Sequence, residues 1–229
     1  MKPTLYIIGT PIGNLEDITL RALRVLKEID LVLCEDTRVT KRLLSKYDIA
    51  TPTMSYHAQS KLAKVEKIFA LLEEGKILAL VSDAGTPCIS DPGVLLVAQV
   101  LEKFGDKVSI IPIPGPSALV TALSAAGVSV AEFTFLGFLP HKKGRETLFK
   151  EIAESKRVMS FYESPHRILK TLESLEKFCG PERQVVIARE LTKIYEEFVR
   201  GTVAEARTHF TNNEDRVRGE FVVIVGGRI

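Results

Sequence analysis

Four short apolar runs constrain this chain most: Leu5–Ile8, Leu31–Cys34, Ile77–Val81 and Val108–Ile111, the last interrupted only by Ser109, each bounded by turn or charged residues. A half-exposed strand alternates apolar and polar residues, so apolar runs of this length read as strands covered on both faces. Helix-length segments lie between them. Asp17–Ile29 carries Leu20, Leu23, Leu26 and Ile29 along one face, and Lys61–Glu74 does the same with Leu62, Val65, Ile68, Phe69 and Leu72. This alternation predicts an α/β fold with a mostly parallel sheet.

The stretch Pro112-Ile113-Pro114-Gly115-Pro116 breaks the pattern, because proline withholds an N–H and fixes φ. It predicts a boundary between an α/β domain over 1–115 and a second α/β domain over 116–229. Beyond it, Ser117–Ala126, Arg145–Ala153 and Pro165–Phe178 read as helices, and Thr202–Asn213 as a helix followed by a polar turn. Phe133–Gly137, Arg157–Tyr162, Val185–Ala188, Ile194–Gly201 and Glu220–Val225 have strand character. The last three lie close in sequence, so the second sheet is expected to be mixed, with more antiparallel pairing.

With 45% hydrophobic and 26% charged residues, the 229-residue chain has material for a core. That excludes disordered, collagen-like and disulfide-scaffold classes. Lys plus Arg number 31 against 29 Asp plus Glu, which excludes a histone-like mode and leaves room for a local basic face. The three cysteines, Cys34, Cys88 and Cys179, are far apart, and the four histidines, His57, His141, His166 and His209, lack ligand spacing. Reduced thiols and no metal are expected. The apolar run after Met1 is too short for a signal peptide or a membrane span. A cytoplasmic protein with no membrane contact is the expectation.

Three loops follow strands of the first half. Gly9-Thr10-Pro11-Ile12-Gly13-Asn14 lets backbone approach a ligand at a strand's carboxyl end, where open α/β sheets bind their substrates. It lacks the dinucleotide fingerprint, and no Walker A loop occurs anywhere. An ordinary turn is the plain alternative. The second loop, Ser82–Gly93, holds two prolines, two glycines and two aspartates and is therefore rigid. It is equally a long capping loop, with Asp91 as N-cap and Pro92 in the first turn. The third, Pro114–Ala118, opens a helix with Ser117, a cap or a pocket hydroxyl. Convergence of the three at one sheet edge would make a small-molecule site.

Five strings together resemble one family: Gly9–Asn14, Glu35-Asp36-Thr37-Arg38, Ser82–Gly93, Phe161-Tyr162-Glu163-Ser164-Pro165-His166-Arg167 and Ala188-Arg189-Glu190-Leu191-Thr192-Lys193. The family is the ribosomal small subunit RNA cytidine 2′-O-methyltransferases, a branch of the tetrapyrrole methylase superfamily, and the resemblance runs from Leu5 to about Val225. It implies two α/β domains with S-adenosylmethionine in the cleft between them, usually a homodimer, and small subunit ribosomal RNA as substrate. By motif, Pro11, Ile12, Asp83, Gly85, Thr86 and Ile89 would touch the cofactor, joined by Ser117 and Ala118; Phe161 or Tyr162 and Ala188 would flank its adenine. Members often carry a further helical segment after the strand matching Gly219–Val225. This chain ends four residues past Val225, so an RNA contact by such a segment is not expected.

Methyl transfer from a sulfonium to a ribose hydroxyl needs alignment and help in losing a proton. Asp36, Glu163, Glu190 and Lys193 lie in the branch-specific strings and are the catalytic candidates. Arg38, Arg167 and Arg189 are candidates to clamp phosphates, together with Lys142, Lys143 and Arg145. Each is equally open to a plainer reading as half of an ion pair. From His141 to Lys170, eight basic residues face four acidic ones, a local excess that suits phosphate contact. Two alternatives stand beside RNA methylation: a methylase of a corrinoid or porphyrin precursor on the same fold, and a non-catalytic RNA-binding assembly factor.

Overall fold

The computed structural model describes residues 2–57 and 62–228. Two compact units divide the chain, Met1–Ser117 and Ala118–Ile229.

The first unit holds strands β1 (Thr4–Ile8), β2 (Leu31–Cys34), β3 (Thr53–Ser55), β4 (Ile77–Val81) and β5 (Ser109–Ile113), with helices α1 (Leu20–Glu28), α2 (Thr37–Lys46), α3 (Leu62–Glu73) and α4 (Gly93–Phe104). The sheet has the order β3-β2-β4-β1-β5, and every pairing is parallel. Strands β1, β2 and β4 are apolar throughout or nearly so because helices cover both faces. On one face Val25, Leu26, Leu43 and Leu44 of α1 and α2 pack on Ile8, Val32, Ala79 and Val81. On the other, Ile68, Leu72, Leu96 and Val100 of α3 and α4 pack on Leu5, Leu33, Leu78 and Leu80. Helix α1 starts at Leu20 rather than Asp17, because Leu15–Asp17 forms a 3-10 turn and the Thr19 hydroxyl caps the helix at Ala22 N. Lys61, the expected start of the next helix, lies outside the described residues.

Two elements carry no apolar run and were not anticipated: the three-residue edge strand β3 and helix α2, which buries only Thr40, Leu43 and Leu44. Strand β5 runs two residues further than Ile111 and takes in Pro112. It is an edge strand, where a missing N–H breaks no ladder.

The second unit holds α5 (Ala118–Ser124), β6 (Phe133–Phe138), α6 (Arg145–Glu154), β7 (Val158–Glu163), α7 (Ile168–Cys179), β8 (Gln184–Arg189), β9 (Glu197–Thr202), α8 (Val203–Asn212) and β10 (Phe221–Val225). The sheet order is β6-β7-β10-β8-β9. Only β6–β7 is parallel; β10 pairs antiparallel with β7 and β8, and β8 with β9. Helices α6, α7 and α8 bury Phe149, Ile152, Leu172, Leu175 and Phe210 against Met159, Phe161, Ile187 and Val223. Strand β9 begins at Glu197, not Ile194, because the preceding turn contains two left-handed residues, Glu190 (φ 50°) and Thr192 (φ 65°).

Candidate functional site

At the carboxyl end of the first sheet, the loops after β1, β4 and β5 are joined through backbone. Thr10 and Gly85 exchange N–H···O bonds of 3.0 Å in both directions. The buried Thr10 hydroxyl donates to Ser82 O at 3.0 Å, and the Ser82 hydroxyl to Gly85 O at 3.1 Å. Gly9 and Gly115 lie so close that a Cβ on either would sit 2.8 Å from the other's Cα; only glycine permits that approach. Gly85 has φ +84°, and a side chain there would meet Ile12 Cγ2 at 3.3 Å and Pro116 O at 3.5 Å. Thr86 Oγ1 donates to Pro116 O at 3.0 Å. Pro11 and Ile12 are buried in this floor, while Asp83 and Ile89 are exposed. Ser117 closes the first unit and Ala118 opens α5, both half-buried.

The loop after β2 joins the cluster when Asp36 N–H donates to Asp83 Oδ1 at 3.0 Å. Asp36 is the N-cap of α2, accepting Arg38 N–H at 2.8 Å. It also takes the Arg38 guanidinium through two nitrogens, Nε at 3.0 Å and Nη2 at 2.6 Å. These bonds hold the Asp36 carboxyl down at about 2. Its neighbour Glu35 behaves oppositely. Burial raises its carboxyl, and the charges of Asp83 and Asp91 raise it further. Glu35 was not singled out from the sequence, although its place directly after strand β2 is the signal that points to it. Asp91 caps α4 from one residue further out than expected: its carboxylate accepts Gly93 N–H at 2.8 Å and Cys88 N–H at 2.7 Å, while Pro92 occupies the N-cap position. Burial, then Asp91, pushes the Cys88 thiol up to about 11.

In the second unit the candidate charges are engaged in structural networks. The Glu163 carboxylate is fully enclosed and accepts Ser164 N–H (2.8 Å), Thr171 Oγ1 (2.7 Å), Arg167 Nη2 (2.7 Å) and Arg145 Nη2 (3.3 Å). With these four bonds and no exposed surface, the carboxylate is engaged inside its own unit. Arg145 and Arg167, expected at phosphates, are largely buried partners of the same carboxylate. Arg189 is likewise turned inward, onto Glu197 Oε2 at 3.2 Å and the carbonyls of Tyr195 and Arg218. Glu197 also pairs with Arg216 and with His209 at 3.0 Å.

Glu190 accepts Lys193 Nζ at 2.8 Å and Glu220 N–H at 3.1 Å. Burial raises its carboxyl, but Lys193 and the Glu220 N–H outweigh that and hold it below the usual range. Lys193 is correspondingly raised, its partners Glu190 and Glu220 outweighing burial. Both residues therefore stay charged. Of the two expected adenine neighbours on β7, the Phe161 side chain is buried in the α6–α8 core. Tyr162 points to the opposite face and packs edge-on against Phe135 at 4.9 Å. Ala188 is fully buried on β8. Lys142 and Lys143 are exposed in the turn between β6 and α6.

Among the described residues no helix is long and apolar enough to cross a membrane, and no three His, Cys, Asp or Glu side chains are grouped to hold a metal ion.

The family model for Tetrapyrrole (Corrin/Porphyrin) Methylases matches residues 4–207. A cobalamin biosynthetic enzyme, cobalt precorrin-4 methyltransferase, superposes with a TM-score of 0.70 at 21% identity, over 98% of this chain and 95% of that one. Uroporphyrin-III C-methyltransferase from Thermus thermophilus gives 0.64 at 19%, over 98% and 94%. Fold and family model together define a class, the methyltransferases built like those of corrins and porphyrins. Two curated relatives are far closer in sequence. Both are named ribosomal RNA small subunit methyltransferase I: that of Halalkalibacterium halodurans is 49% identical over 99% of this chain and 76% of its own length, and that of Thermotoga maritima 47% identical over 98% of each. The chain belongs to the tetrapyrrole methylase family, on the branch of these relatives.

Proposed function

We propose that the protein transfers a methyl group from S-adenosylmethionine to the 2′-hydroxyl of a cytidine ribose in small subunit ribosomal RNA. The observation that carries this reading is the backbone-stitched floor at the carboxyl end of the first sheet, in a chain 47% to 49% identical to ribosomal RNA methyltransferases. Corrin and porphyrin methylases at 19% to 21% identity share the fold alone, so a tetrapyrrole substrate is not favoured.

The floor suits the cofactor. Pro11, Ile12 and Ile89 offer apolar contact, and the left-handed Gly85 with Thr86 offers backbone where a side chain would intrude on Ile12. Ser117 follows Pro116 at the end of the same unit, and the family resemblance would add Ala118. Glu35, Asp83 and Asp91 place negative potential beside it, which favours a sulfonium and an ammonium. When bound, S-adenosylmethionine supplies a methyl on sulfur that is already a good leaving group. The protein's own part is to hold donor and hydroxyl in line, a role worth several orders of magnitude in rate. Arg38, whose side chain is 89% exposed, and the exposed Lys142 and Lys143 would meet RNA phosphates. The protein works in the cytoplasm, as a homodimer for which the exposed Val94, Leu95 and Leu101 of α4 offer apolar surface.

Transfer of labelled methyl to unmodified small ribosomal subunits, with the site mapped by 2′-O-methyl-sensitive sequencing, tests the proposal. One labelled ribose is expected. No transfer by a protein that binds S-adenosylmethionine overturns it in favour of a tetrapyrrole precursor, and failure to bind the cofactor favours an assembly factor. Gly85→Leu, which drives a side chain into Ile12, is expected to abolish cofactor binding in calorimetry; unchanged affinity removes that loop from the site.

A further inference from the structure

Glu163 sits at the end of β7, and its two arginines do more than neutralise it. Arg145 Nη1 donates to Pro140 O at 3.2 Å, and Arg167 Nη1 donates to Leu139 O at 2.9 Å. The same two guanidiniums reach Glu163 through their Nη2 atoms. One enclosed carboxylate thus ties down both carbonyls that open the loop 139–144. At its far side the loop turns through Gly144 at φ +84° into α6.

Of the eight basic residues between His141 and Lys170, Lys150 pairs with Glu146, Arg157 with Glu132, and Arg145 and Arg167 with Glu163. Lys142 and Lys143 are exposed on the tethered loop, with no carboxylate partner among the described residues. Lys156 and Lys170 are exposed as well, but of this charge the part carried by Lys142 and Lys143 is held on a braced turn. Bracing lowers the entropy lost when such side chains meet a fixed row of phosphates.

We propose that Glu163 is a positioning residue for RNA: through Arg145 and Arg167 it holds the 139–144 loop so that Lys142 and Lys143 meet substrate phosphates. This rests on RNA being the substrate. Arg145 and Arg167 then serve the loop and do not touch RNA themselves.

The test is binding of the full chain to small subunit ribosomal RNA across a salt series, with cofactor affinity and melting temperature measured on each variant. K142A/K143A is expected to lower affinity about tenfold and to reduce the slope of log K against log salt by about 1.4 to 1.8, the value for two lost phosphate contacts. Glu163→Gln is expected to reproduce that reduced slope with both lysines present, and adding K142A/K143A to it should cost nothing more. Should Glu163→Gln not fold, Arg167→Gln keeps Arg145 on the carboxylate, frees Leu139 O, and is expected to show the same non-additivity. Unchanged binding by K142A/K143A in a protein that methylates small subunit RNA overturns the inference alone, and so do strictly additive effects. A wild-type protein that binds the cofactor but no RNA overturns the reading beneath it as well.

Discussion

At the edge of the first sheet the loops are held by backbone and hydroxyls: Thr10 against Gly85, Ser82 against Gly85, Gly9 against Gly115. In the second unit three loop segments hang instead on a buried or half-buried carboxylate. Glu163 braces 139–144, Glu190 pins the turn after β8 to Glu220, and Glu197 gathers Arg189, Arg216 and His209. Backbone stitching holds the floor itself without spending side-chain charge, and leaves a closely packed surface suited to lie against a small molecule. Carboxylate hubs consume the charges that form them and leave only the outermost cations for a partner. Charged residues inside a distinctive string are thus weak evidence of chemistry until their neighbours in space are known.

The sharpest way to break this contrast is to remove a hub. Glu197→Ala leaves Arg189, whose side chain is 9% exposed, without its carboxylate, and a buried charge stripped of its partner costs roughly 3–5 kcal/mol. Urea denaturation reads this directly, and a loss below about 1 kcal/mol, the value for an exposed pair, would show that the network is ornamental. Burial raises the Glu197 carboxyl, but Arg216, His209 and Arg189 together hold it below its ordinary 4.5. Its contribution is therefore complete above pH 4.5 and lost as the pH falls below that value. Glu197→Gln should flatten the acid limb of the melting curve.

The backbone-stitched side has its own tests, with smaller effects. Gly9→Ala puts a methyl 2.8 Å from Gly115 Cα, and overpacking of this kind costs about 1–3 kcal/mol. Because the strain falls on the loop floor, cofactor affinity is expected to drop along with stability; a variant that binds normally would separate Gly9 from the site. Thr10→Val removes the hydroxyl that bonds to Ser82 O and is expected to cost about 1 kcal/mol in thermal denaturation.

How far each region was legible follows from the same contrast. Strands of the first unit stood out because α1–α4 cover both faces and leave little polar alternation, whereas β3 is three residues long and α2 has only Val39, Leu43 and Leu44 as apolar residues. Gly9, Gly85 and Gly115 drew attention because a loop rich in glycine is locally unusual. The Thr10–Ser82 bond, spanning 72 residues, has no local signature, since a hydroxyl bonded to a distant carbonyl looks like any other threonine. Phe161 and Tyr162 alternate on one strand, and only the packing of α6–α8 decides which of them faces the core. Glu163 and Glu190 could be recognised as notable but not as hubs, because the arginines and amides that occupy them come from other turns of the chain.

The Asp36–Arg38 pair lies on the first unit's loop edge yet is built like the second unit's hubs, and so it marks where the contrast is weakest. Arg38 is 89% exposed, and a pair open to water is screened and contributes little. Asp36→Asn keeps a side chain able to cap α2 but gives up the charge. The Arg38 guanidinium and N–H bonds hold the Asp36 carboxyl at about 2 against an ordinary 3.8. The wild type is therefore expected to melt slightly above the variant at neutral pH, with the gap closing as the pH falls from 3.8 towards 2, and closing at neutral pH in high salt. A gap as large as that of Glu197→Gln would mean that charge, as well as backbone, holds the loops of the first unit.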